Sequence, residues 1–257
     1  MSNLVNIHSK AQIAKDVKID PFASIHEDVI IDRGCWIGSN VTFMPGARIG
    51  KNCRIFPGAV ISAIPQDLKF KGEKTNVIIN DNTTIRECVT INRGTSAFGK
   101  TIIGSNCLLM AYTHVAHDCI IGDNCVLANS VQIAGHVTID DWVVIGGITA
   151  IHQYSKIGTH AFVAGMSGVV KDIPPYITAG RMPLIYMGLN YIGLKRRNFS
   201  SESINNIKSI YHDLFANHST TLSDINSGTY DIDKSNIEAE TIISFIKKSD
   251  RGIVGKK

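Results

Sequence analysis

Between Leu109 and Asn124 the chain reads LMAYTHVAHDCIIGDN, with His114 and His117 three residues apart and Asp118 directly after the second. An imidazole held in one tautomer by a carboxylate is a general base near neutral pH. The pair alone carries little weight. A surface histidine is usually just solvated, and aspartate is an ordinary corner residue. Its meaning depends on the elements that position it.

Those elements follow from a period of six. From Ile7 to Val169, 25 of 28 positions taken six apart are Ile, Leu, Val or Phe, with Asp67, Glu73 and Ala97 the exceptions. Four residues after each large apolar position stands a small one: Ala11, Ala23, Cys35, Cys53, Cys107, Thr113, Cys119 and Cys125 among them. It is two residues short of the next large one, so on a strand both face inward. Two and three residues after each large position come corner formers such as Ser39-Asn40, Pro45-Gly46, Asp81-Asn82 and Asp123-Asn124. Each hexapeptide is a short strand and a corner. Three make a triangular coil of 18 residues, and the coils stack by parallel pairing: a hexapeptide parallel β-helix.

Residues 18 apart share an edge of this prism. His117 therefore lies under Gly135 and Gln153, Asp118 under His136 and Tyr154, and Ala116 under Ala134 and His152. With His114 beside them, four of the nine histidines share one edge, over about two strand spacings, ~10 Å. A base next to a glycine whose backbone N–H can meet an oxyanion suits acyl transfer to a hydroxyl or an amine. Cysteines that fill inward slots are small core residues rather than disulfides or nucleophiles, which favours direct attack by the acceptor. Two other classes stay open at this point: a metal held by converging histidines, and a non-catalytic trimeric scaffold.

Two stretches break the period, near 62–76 (SAIPQDLKFKGEKTN) and 95–100 (TSAFGK), and are expected to be loops leaving a corner. The repeat is expected to fill residues 1–175 and a smaller α-helical domain residues 176–257, with the helical pattern opening near Tyr186. Ile204, Ile207, Ile210, Tyr211 and Leu214 mark one helix face, and Ser235 with Glu238 suggests a capping box. Three to five helices are expected to cover the open end of the coil. Lys195-Arg196-Arg197 is either a solvated turn or a phosphate contact. The net charge of +4 is too weak to argue for nucleic acid, but suits an acidic partner. No apolar run approaches a membrane span, and the N-terminus has no signal-peptide core, so the cytoplasm is the expected location.

The motifs IPQDLKF (64–70), TTIRECVTINRGT (83–95), HVAHDCIIG (114–122), LANSVQIAGHV (127–137), GGITAIHQY (146–154) and GLKRRNFS (193–200) resemble the UDP-N-acetylglucosamine acyltransferases that open lipid A synthesis. The resemblance runs nearly end to end. It implies an all-β left-handed parallel β-helix followed by the helical domain, and a homotrimer with clefts between subunits. The implied donor is a 3-hydroxyacyl chain on the phosphopantetheine of acyl carrier protein, with no separate cofactor and no metal. The implied acceptor is UDP-N-acetylglucosamine. By position, His117 would be the base, Asp118 its partner and Gly135 the oxyanion donor, with His136 nearby. Gln66, Asp67 and Lys69 would hold the sugar. His114, His152 and Gln153 would line the cleft, and Asn190, Arg196 and Arg197 would meet the diphosphate and ribose. Gly165 and Met166 lie where the family measures acyl length.

The chain departs from the family's pattern in three places. Asn92 stands where the best-known members have histidine, Ile192 where some have glutamate, and AGRMPLIYMG (179–188) differs from the usual run. The gamma-type carbonic anhydrases also put histidines on a β-helix edge, but with a His-x4-His pair where this chain has His-x2-His.

Overall fold

The computed structural model describes residues 4–215 and 236–255. Among the described residues the hexapeptides form three parallel sheets, here called first, second and third, of nine, eight and eight strands, which the chain visits in rotation as a left-handed β-helix. Most strands are two residues long, the first facing out and the second buried. Register follows the 18-residue step, as in Val115 beside Ile133 and Ile133 beside Ile151. Ile49 instead pairs with Ile79 and Ile79 with Ile103, because each insertion loops out and the ladder resumes beyond it, with a register shift between Ile61 and Ala63 where the first one leaves. Both insertions leave from the same edge, between the first and second sheets.

The core is a column of Ile, Leu, Val and Phe closed at its corners by small residues. At the third residue past each large one the backbone is left-handed in Asn40, Asn52, Asn106, Asp118, Asn124 and His136. Asn, Asp and His tolerate that conformation better than other side chains. The expected inward cysteines are buried and unpaired, whereas Cys88 is exposed. They are more than small hydrophobes. Cys107, Cys119 and Cys125 donate S–H to the carbonyls of Gly122, Ala134 and Asp140 at 3.1, 3.1 and 3.2 Å, and Thr113 serves Ala128 O at 3.2 Å. The small slot thus satisfies an inward-turned carbonyl of the next coil, which otherwise carries a desolvation cost.

At the C-terminal end the third sheet gains one more strand, Ile177–Gly180, and Ile185–Leu189 folds back antiparallel upon it. The helices begin at Tyr191 rather than near Tyr186, because this hairpin first covers the open sheet edge. The described residues contain α1 (Tyr191–Arg196), α2 (Ser201–Phe215) and α3 (Ile237–Lys247). Ile204, Ile207, Ile210 and Tyr211 are the buried face of α2, as their spacing predicts, and Tyr211 donates to Pro175 O at 2.7 Å. Ser235 lies outside the described residues. The N-cap of α3 is Asn236, whose side chain accepts from Ala239 N at 3.0 Å. None of the helices in the described residues is long and apolar enough to cross a membrane.

Candidate active site

His114–Val115 belongs to the first sheet and Ile120–Ile121 to the second, so His117 and Asp118 form the corner between them. Asp118 takes a φ of 58° there, and its side chain is fully enclosed. Its Oδ2 meets His117 Nδ1 at 2.8 Å and accepts the Thr95 hydroxyl at 2.6 Å, while Oδ1 accepts the Thr95 N–H at 2.9 Å. Burial alone would raise the Asp118 carboxyl. The Thr95 and His117 hydrogen bonds outweigh it and hold the group below the ordinary carboxylate range. An ionised Asp118 that accepts at His117 Nδ1 leaves Nε2 as the open nitrogen of the imidazole.

One coil on, Gly135 lies against that imidazole. A Cβ on Gly135 would stand 2.6 Å from His117 Cε1 and 2.7 Å from Nε2, so only glycine fits this approach. The Gly135 N–H has no hydrogen-bond partner among the described residues. His136 meets His117 edge-on at 5.0 Å and stacks on Tyr154 at 4.5 Å, with Nε2 3.9 Å from Asp118 Oδ2. Burial lowers the His136 pKa against the opposing charge of Asp118, with a further contribution from Asp67. The predicted column of 117, 135, 118, 136 and 154 is therefore assembled. His114 projects from its strand onto Thr90 Oγ1 at 2.7 Å, its pKa lowered by burial. His152 and Gln153 are exposed at the top of the same edge.

Both insertions also meet this edge. Gln66, Asp67 and Lys69 ride on the first, where Asp67 caps its own turn by accepting Lys69 N at 2.9 Å. The loop is anchored by the Arg93 guanidinium, which lies 5.6 Å from the centre of the Phe70 ring. The second insertion supplies Thr95, a contact of Asp118 that the sequence pattern does not reveal. No period marks a threonine at the mouth of an insertion, and its partner lies 23 residues away. Asn92 is buried one coil below His117, with its side-chain oxygen unpartnered. No three histidines converge among the described residues. Among the described residues, the close donor set is His117, Asp118 and His136, whose atoms lie within 4.8 Å of one another. In it the Asp118 Oδ2 already takes protons from Thr95 and His117.

The remaining candidates lie on other edges of the same chain. Gly165 and Met166 sit between the third and first sheets, with Met166 exposed. Asn190, Arg196 and Arg197 surround α1, which is fixed to the edge between the second and third sheets. The Asn190 side chain is engaged at both ends: Oδ1 caps Gly193 N at 3.1 Å and Nδ2 donates to His160 O at 2.9 Å. Arg197 lies over the Trp142 ring at 5.2 Å with Nη1 buried, whereas Arg196 points into the open.

Fold and site together define a hexapeptide-repeat acyltransferase. The bacterial transferase hexapeptide model matches residues 31–63 and 100–135, and the model for domain 2 of UDP-N-acetylglucosamine O-acyltransferase matches 172–254. The acyl-[acyl-carrier-protein]–UDP-N-acetylglucosamine O-acyltransferase of Aliarcobacter butzleri is 45% identical over 194 residues, which are 75% of this chain and 74% of that one. The UDP-N-acetylglucosamine acyltransferase structure from Bacteroides fragilis superposes with a TM-score of 0.95 at 46% identity, covering 99% of each chain. That from Acinetobacter baumannii gives 0.94 at 38% identity, covering 98% of each. The chain belongs to the UDP-N-acetylglucosamine acyltransferase family.

Proposed function

We propose that the protein transfers a 3-hydroxyacyl chain from acyl carrier protein to the glucosamine 3-hydroxyl of UDP-N-acetylglucosamine, the first step of lipid A synthesis, in the cytoplasm. The observation that carries the mechanism is the His117–Asp118 pair with Gly135 packed on the imidazole. His117 Nε2 takes the proton of the sugar hydroxyl as its oxygen attacks the thioester carbonyl. The Gly135 N–H donates to the oxyanion that forms. On collapse the C–S bond breaks, and the imidazolium returns its proton to the departing phosphopantetheine thiolate. No enzyme nucleophile and no cofactor beyond the carrier's own thiol is needed.

The substrate contacts of Gln66, Asp67, Lys69, His114, His136, His152 and Gln153 are part of the same reading, since they share one edge with His117. Gly165, Asn190, Arg196 and Arg197 reach that cleft only from a second copy, which supports a homotrimer with active sites between subunits. Leu68, at the tip of the QDLK loop, is fully exposed in one chain. The outward residues Ile30, Ile78, Ile102 and Ile120 form an apolar stripe broken only by Arg48. Such surfaces mark interfaces.

Purified protein given UDP-N-acetylglucosamine and a mixture of 3-hydroxyacyl carrier proteins should yield a 3-O-acyl nucleotide sugar by mass spectrometry, with one chain length dominant. An intact acceptor after prolonged incubation would refute the assignment.

A further inference from the structure

The second insertion begins and ends on Asp118. Thr95, its first residue, gives the carboxylate both its N–H and its hydroxyl, at 2.9 and 2.6 Å. Thr101, just past its end, accepts the Asp118 N–H at 2.9 Å. The direction of the hydroxyl is set. Thr95 Oγ1 accepts Ala97 N at 3.2 Å, which leaves its own proton for Asp118. Thr95 O accepts Gly99 N at 2.7 Å and closes the insertion into a turn. Gly94 lets that turn leave and return at one place, for a Cβ there would come within 2.2 Å of Lys100 N. Thr95 is buried.

We propose that Thr95 is a positioning residue for the proton transfer, fixing the Asp118 carboxylate so that one oxygen is presented to His117 Nδ1. This rests on reading His117 as the general base. The insertion is then the strut that supplies the donors, and the corner aspartate the lattice already favours becomes a rigid orienter. Without the hydroxyl, Asp118 Oδ2 keeps only His117 and Oδ1 only the Thr95 amide, so the carboxylate loses one of the three bonds that fix its plane.

The test is steady-state kinetics on the full chain with both substrates, for wild type, Thr95→Val, Thr95→Ser, Asp118→Asn and the Thr95→Val/Asp118→Asn double variant, with thermal unfolding measured in parallel. Valine keeps the shape and the N–H and removes only the hydroxyl. We expect Thr95→Val to lose about 10- to 100-fold in kcat, the size of one hydrogen bond to a charged group, with KM for the nucleotide sugar little changed. Thr95→Ser should restore most of it. In the Asp118→Asn background the same valine should cost less than about threefold, because the two residues act as one unit.

The acid limb of kcat/KM should move to higher pH in Thr95→Val. The Thr95 hydroxyl helps to hold the Asp118 carboxyl down, so without it the carboxylate binds protons more readily and the base loses its ionised partner at a higher pH. The other titratable groups around Asp118 are His136, with Asp67 beyond it, and the buried Cys119. All are unchanged by the substitution. Wild-type kcat and pH profile in Thr95→Val would overturn the proposal, as would an equal penalty with and without Asp118. A wild-type chain without acyltransfer would overturn the general-base reading itself.

Discussion

At the scale of the residue, the site is a matter of what stands next to one imidazole. Asp118 fixes the inner nitrogen of His117, and Gly135 is small enough to let the imidazole lie against the backbone one coil away. His117→Ala should lose about 100- to 10,000-fold in kcat, the usual worth of a general base, with unchanged thermal unfolding. Gly135→Ala tests the contact from the other side. The added methyl falls on the imidazole, and the flexible group is the one that yields. The ring must swing away from Asp118, and misplacement of about 1 Å at a reacting group costs roughly 100-fold. Gly135→Ala with wild-type kcat would place the oxyanion and the base elsewhere.

At the scale of the element, the coil was legible because one residue class repeats at one spacing. An inward isoleucine at every sixth residue, with corner formers between, suits neither a helix face nor an unbroken strand. Both insertions were legible as failures of that spacing, and the column from His117 to Tyr154 as its consequence. The cap was less so. Ile185–Leu189 reads as apolar without a period, and only its pairing with Ile177–Gly180 makes it a strand. The Asn190 amide caps α1 and donates to His160 O, a tie between cap and coil that no spacing announces.

That junction carries a pH dependence. His160 packs between Trp142, Tyr176 and Phe199, facing Arg197, and burial first and then Arg197 lower its pKa from 6.5 to about 4. The unfolded chain thus takes up this proton near 6.5 and the folded chain only near 4. This contribution to stability is intact above the upper value and is lost as pH falls through the interval. His160→Asn keeps a residue suited to the left-handed φ of 58°. It should lower the unfolding temperature at neutral pH through lost ring contacts. It should also unfold with a shallower dependence on pH over that interval than wild type, as followed by circular dichroism. Parallel curves would remove His160 as the source.

At the scale of the whole molecule, the three edges of one prism cannot serve one ligand. His117 lies between the first and second sheets and α1 hangs between the second and third, so Arg196 and His117 of the same chain lie on different edges. If the proposed trimer closes its sites between copies, each site combines His117 from one subunit with Arg196 from the next. His117→Ala and Arg196→Ala homotrimers should each be deficient, the first in kcat and the second by a raised KM for the nucleotide sugar. Unfolded together and refolded as a mixture, they should regain activity. With random assembly around a closed ring, roughly one site in four has both groups intact. The mixture should therefore show about a quarter of the wild-type rate at nucleotide-sugar concentrations where neither parent turns over measurably. A mixture no better than the average of its parents would mean that Arg196 and His117 act within one chain or in separate sites, and the shared cleft would have to be given up.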